Sequence, residues 1–173
     1  MCETTVSKEL AVENVLIMAE RLAFLHYAFA KTLEEELSPE KADKLTRKAI
    51  DKYGQLAAES AMKKIESQDL ETTLLNFKHG KDLPSMGWQT APIDKPNDRP
   101  CEKISKITYC PLADNWKKLG KEAERLGRLY CWVDQAKFRA YGKGYLCFHD
   151  RNTLDGDDYC IIRVASDISA NGQ

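Results

Sequence analysis

The 173-residue sequence has no apolar run approaching the roughly 18 to 20 residues needed to span a bilayer, which sets a membrane-embedded role aside. Its opening stretch, MCETTVSKEL, lacks the basic start and apolar core of a signal peptide. No charge of one sign prevails: 26 Lys and Arg stand against 27 Asp and Glu, interspersed along the chain, so the basic field that nucleic-acid binding depends on is missing. There is no CxxC pair, no Walker spacing, no internal repeat and no low-complexity segment. These absences leave a small molecule as the expected partner and the cytoplasm, with its reduced thiols, as the expected compartment.

What is present fits one compact unit, with 43% hydrophobic residues and enough length to bury a core. From Ser7 to Leu37 there is neither glycine nor proline, and Val15, Met18, Leu22, Leu25 and Phe29 recur at three- and four-residue steps, which predicts a long helix with one face buried. Ser38-Pro39 supplies a cap and a first-turn proline for a second helix through Ile65, with Ala42, Leu45, Ala49, Tyr53, Leu56 and Ala57 facing inward. A short helix is expected from Glu71 to Lys78, stopped by Gly80. Prolines from Pro84 to Pro100 leave turns or short edge strands around Trp88. Beyond them, 104–109 reads as a strand and 112–126 as a helix stopped by Gly127. The stretch 129–141 leans towards helix, and 145–149 with 159–164 reads as a β-hairpin. The fold class is α+β: an N-terminal helical hairpin packed on a small antiparallel sheet with inserted helices. It forms a single domain with a helical half, 1–80, and a sheet-containing, site-bearing half, 81–173. The first helix suits a homodimer as well as it suits packing on the sheet.

Three of the six cysteines stand at the start or end of an element with an acid nearby: Cys110 with Asp114, Cys131 with Asp134, and Cys160 with Asp157. His149 closes a predicted strand, while His26 and His79 are explained by core packing and capping. Thiol, imidazole and carboxylate are the parts of an activated nucleophile. The competing uses of the same atoms are plain packing, since free cysteine is a small hydrophobe, and a Cys3His zinc set of Cys110, Cys131, His149 and Cys160. The missing CxxC spacing counts against zinc, and no cofactor is expected. Trp88, Trp116, Trp132, Tyr130 and Tyr145 are candidate pocket walls.

The order CPLADNWKKLG, GRLYCWVDQA and YLCFHDRNTLDGDDYCIIRV resembles the L-2-amino-thiazoline-4-carboxylic acid hydrolase family over Ile104 to Val164. The resemblance falls on Cys110, Cys131, Asp134, Gly156, Asp157 and Cys160, with His149 at the end of the preceding strand. It implies hydrolytic opening of a cyclic amidine at a C–N bond, towards S-carbamoyl-cysteine. On that basis Cys131 or Cys160 is expected to add to carbon, His149 to move protons, and Asp157 and Asp134 to hold the cationic end of the substrate. Cys110 and Trp132 complete the binding surface, and Arg128, Arg151 or Arg163 is left to meet a substrate carboxylate. A nearby acid disfavours a thiolate, which places Cys131 slightly ahead of Cys160. Two other uses stay open: a small-molecule binding or sensor domain without turnover, and a metal-binding protein.

Overall fold

The computed structural model describes residues 6–93, 102–142 and 144–166. Cys2 and Cys101 lie outside the described residues. Helix α1 spans Lys8–Glu36, opened by Ser7, whose hydroxyl accepts from the Leu10 N–H at 3.2 Å. Helix α2 spans Pro39–Glu66 behind Ser38, as the cap and proline require. After a 3-10 turn at Asn76–Gly80 come β1 (Gln89–Ala91), β2 (Glu102–Tyr109), α3 (Pro111–Leu119), α4 (Lys121–Tyr130), α5 (Val133–Tyr141), β3 (Tyr145–Arg151) and β4 (Cys160–Ser166). The sheet is antiparallel throughout, in the order β1-β2-β4-β3. The α+β architecture with its leading helical hairpin is therefore the one the sequence implies. Among the described residues no helix is long and apolar enough to cross a membrane.

The buried face of α1 is not the stripe of large residues. Ala19, Ala23, His26 and Ala30 face inward, while Met18, Leu25 and Phe29 are more than half exposed. The reason lies opposite: α1 packs on α3 and α4, whose Trp116 and Tyr130 rings fill the space, so only small side chains fit on the helix. The Trp116 indole donates to the Ala23 carbonyl at 3.0 Å, and the His26 ring lies edge-on to both aromatic rings. In α2, likewise, Ala42, Thr46, Ile50, Gly54, Ala58, Ala61 and Ile65 are buried. Of the expected inward set only Ala42 is among them; Leu45, Ala49, Tyr53 and Leu56 are exposed. Gly54 is required by close approach of α5, since a Cβ there would sit 2.6 Å from the Ala136 methyl.

Two expected helices differ. Instead of one helix over 71–78, a turn leads into a 3-10 helix at Asn76–Gly80; in the turn the Asn76 amide donates to the Glu71 carbonyl and the Asn76 N–H meets Thr73. These local side-chain bonds compete with the helical ladder. The residue that turns left-handed afterwards is Lys81 (φ 47°), not Gly80. The helix expected over 112–126 breaks into α3 and α4 at Gly120 (φ 105°), and Gly127 lies inside α4.

Two buried clusters make up most of the core. One joins Ile50, Leu112, Trp116 and Tyr130; the other joins Ala58, Ala61 and Ile65 of α2 to Phe138, Tyr141 and the sheet residues Cys147 and Val164. A cavity is walled by Leu112, Trp116 and Tyr130 of the first cluster and by Ile162, which packs against the second.

Candidate functional site: a thiol-lined cavity between helices and sheet

A cavity of about 440 Å³ is bounded by α2, the segment after the 3-10 turn, the start of α3, the α4–α5 junction and the sheet. Cys110, Cys131, Asp134, His149 and Cys160 all line it. Residues that the sequence spreads over fifty positions thus meet in one hollow. Asp157 and Trp132 do not line it. Trp88, Trp116 and Tyr130 form walls, as expected of aromatics around a pocket, whereas Tyr145 stacks on Tyr141. The cavity takes one wall from α2, so the site is not confined to the second half of the chain.

At its polar end is a chain of hydrogen bonds. Asp82 accepts from the Lys137 ammonium at 2.6 Å; the same ammonium donates to Asp134 at 2.9 Å; and Asp134 faces His149 Nε2 at 3.0 Å. On the other side of the ring, His149 Nδ1 lies 2.9 Å from the Asn152 amide nitrogen. The Leu154 N–H donates to Asn152 Oδ1, which fixes that amide so that its NH₂ group points at His149. Nδ1 is therefore the acceptor and Nε2–H donates to Asp134. Burial works to raise the Asp134 carboxyl, but Lys137 and His149 outweigh it and hold the group well below the usual carboxylate range. Burial likewise opposes the charge on Lys137, and the two carboxylates more than reverse it, raising its pKa above the usual lysine value.

The thiols differ in their surroundings. Burial pushes Cys131 up to about 12, with the Asn152 side chain as partial compensation and the Asp134 charge adding to the penalty. Burial also raises Cys110. This residue caps α3, however; its side chain makes no capping bond of standard geometry, yet the N–H groups of Ala113 and Leu112 direct their positive ends at the sulfur and offset part of the penalty. Cys160 receives the Thr153 N–H at 3.4 Å. Cys147 is core, its thiol pushed up to about 12 by burial. Although Cys110, Cys131, His149 and Cys160 line one space, no group of three or more His, Cys, Asp or Glu among the described residues is spaced to hold a metal ion. Both ring nitrogens of His149 are committed to protein partners.

The acids of the turn have structural duties. Asp157 accepts from the Asn152 backbone N–H at 2.8 Å, Asp155 chelates Arg128, and Gly156 takes φ 101°. Together they set the position of Asn152 and through it His149. Asp114 pairs with Lys118 instead of facing the cavity. Trp132 donates to Asp51, between the guanidinium groups of Arg47 and Arg139. Arg128 is held by Asp155, Arg163 by Asp150, and Arg151 lies over Tyr159; none lines the cavity. The cation that lines it without two carboxylates attached is Lys64, bonded to the Lys81 carbonyl. Lys137, Asp82, Asn152 and Lys64 went unnoticed as site residues in the sequence. Of these only Lys137 left a signal, standing three residues after Asp134 on one helical face.

Fold and site together define a small α+β protein built around a partly open, thiol-bearing cavity with a buried lysine–carboxylate cluster in its lining. The chain belongs to the L-2-amino-thiazoline-4-carboxylic acid hydrolase family, whose model matches residues 17–164. No curated protein matches it. Among solved structures, its fold is similar to that of a trafficking protein particle complex subunit 3 from Naegleria fowleri covalently bound to palmitic acid. The identity is 14% and the TM-score 0.54, over 87% of this chain and 95% of that one. At that identity the likeness is one of fold.

Proposed function

We propose that the protein hydrolyses the ring C–N bond of a cyclic amidine of the 2-amino-thiazoline-4-carboxylate type, giving S-carbamoyl-cysteine or a close relative. The observation that supports this reading is the meeting of Cys110, Cys131, Asp134 and His149 in one cavity of a member of this family. An amidine is a planar N–C–N group, and an ionised carboxylate matches its N–H edge. Asp134, kept charged by Lys137 and oriented by His149, is that carboxylate. Lys64 is placed to take the substrate carboxylate at the exposed end. Cys110, favoured over Cys131 by the start of α3, adds its sulfur to ring C2. The C2–N bond then breaks, the nitrogen leaving with the electron pair and taking the thiol proton. Water attacks the same carbon and expels the thiol, so the net change is one added water and no loss of ammonia.

The test is turnover of 2-amino-thiazoline-4-carboxylate, followed by mass. The product should carry one added water and no new thiol, because the substrate sulfur stays bonded to the former C2; a rising thiol titre would place the cleavage at C–S instead. Cys110→Ser should lower kcat/KM by roughly a hundredfold or more. Undiminished turnover in Cys110→Ser, Cys131→Ser and Asp134→Asn alike would remove the proposed site. A second reading, ligand binding without turnover, is favoured by the closure of the polar chain on itself and by the acyl chain held in the fold neighbour. It predicts ligand-dependent thermal stabilisation with no ring-opened product.

A further inference from the structure

The cavity is much larger than the ring it is proposed to process. Tyr53, Leu56, Ala57, Ser60 and Lys64 of α2 all line it. Three helical turns separate the first from the last, so the hollow runs along α2 for roughly 16 Å at ~1.5 Å per residue. A thiazoline ring with its carboxylate spans about 7 Å at ordinary bond lengths. At the packing density of protein interiors it would fill roughly a third of the volume. The charged groups do not extend along the whole length. Asp82 and Asp134 both accept from Lys137, and Lys64 donates to the carbonyl of Lys81, the residue before Asp82. Apart from them, Leu112, Trp116 and Tyr130 belong to one packed cluster with Trp88 beside it, and Cys110 borders that cluster. Water left there by a small zwitterionic ring would face aromatic and aliphatic walls with few hydrogen-bond partners, an unfavourable place for it.

We infer that the substrate is a cyclic amidine bearing an apolar arm. The ring and its carboxylate lie between Lys64 and Asp134, and the arm extends past Cys110 against Leu112, Trp116 and Tyr130. This class rests on the hydrolase reading for its reacting ring and on the cavity's length and lining for its arm. Removal of the arm from water adds affinity in proportion to its area, and Leu56, Ala57 and Trp116 select for it.

The experiment compares 2-amino-thiazoline-4-carboxylate with the same ring carrying a pentyl chain on C5, using the full chain. The pentyl ring should show kcat/KM at least about tenfold higher. Two variants outside the reacting groups test the origin of that advantage. Leu56→Asn, at a half-exposed position that folding tolerates, and Ala57→Phe, which narrows the channel, should each erase most of it while leaving turnover of the parent ring within about twofold. Circular dichroism and thermal melting of each variant establish that it is folded. Should the parent ring be opened as fast as the pentyl ring, or faster, the inference falls and the hydrolase reading stands. Should neither ring be opened while sodium decanoate raises Tm, the hydrolase reading falls and takes this substrate class with it. An advantage that survives both variants would also overturn the assignment of the arm to this channel.

Discussion

Among single residues, Asp157, three positions before Cys160, proves to act on the backbone. Asp157 holds the Asn152 N–H, Asn152 holds His149, and His149 holds Asp134, so a carboxylate that never enters the cavity positions one that does. The sequence shows which residue types recur but not their direction: an acid three or four residues after a cysteine can face the cavity, as Asp134 does, or pair with a lysine on the surface, as Asp114 does. Lys137 carries the sharpest prediction at this scale. Its ammonium is almost fully enclosed between Asp82 and Asp134, and removing one partner from such a group leaves uncompensated buried charge. Lys137→Met should lower stability by about 3–5 kcal/mol in urea denaturation at neutral pH. The deficit should shrink as pH falls towards about 5, because Asp134, without the cation that held its carboxyl low, can then take up a proton. A deficit independent of pH would mean that the pair contributes packing alone. The thiol of Cys110 gives a second prediction. Its pKa is raised by burial, so an activity that needs its thiolate should climb with pH through the neutral and mildly alkaline range in a kcat/KM profile, and a flat profile would exclude it.

For the elements, helix starts were legible, while glycine stops and buried faces were not. Ser7 and Ser38-Pro39 fix the starts of α1 and α2 because capping is a local bond. Which side of α1 is buried depends on what lies opposite, and a face of alanines against Trp116 and Tyr130 carries almost no periodic hydrophobic signal. Glycine was ambiguous for a related reason: one breaks a helix by its dihedral, as Gly120 does, and another sits within a helix to admit a neighbour, as Gly127 does. A Cβ at Gly127 would collide with the Trp116 ring. Helix propensity favours Gly127→Ala by about 1 kcal/mol. Forcing a methyl into the packed indole costs about 1–3 kcal/mol and should more than offset that gain. The expected result is a net loss of stability with a shift in tryptophan emission; a stabilised variant with unchanged emission would show that the α3–α4 contact yields freely.

Taken as a whole, the molecule couples its stability to pH through groups that burial and pairing have moved in opposite directions. The hairpin of β3 and β4 was readable from alternation and turn residues, but β2 enters between β1 and β4 by long-range pairing that no local pattern encodes. The same long-range closure buries His26 of α1 against α4, where its Nε2 donates to the Leu126 carbonyl at 2.8 Å. Burial lowers the His26 pKa, with the Leu126 bond partly opposing it. Its folded value therefore lies below the unfolded one, near 6.5. Between those two values the unfolded chain binds more protons, so stability is full above about pH 6.5 and is lost as pH falls towards the folded value. Cys131 and Cys147 act at the other limb: their thiols, pushed up to about 12, stay protonated in the folded state while the unfolded thiols ionise from about pH 8.5, so stability declines above that point. A plateau between these limits is expected. His26→Gln tests the acid limb, because the glutamine amide can still donate towards Leu126 but does not titrate. The unfolding free energy of the variant should lose the wild-type slope between pH 6.5 and 5, which amounts to at most about 1.4 kcal/mol per pH unit for one group. If wild type and variant decline in parallel over that interval, the acid limb arises elsewhere and the junction of α1 with α4 is indifferent to protonation.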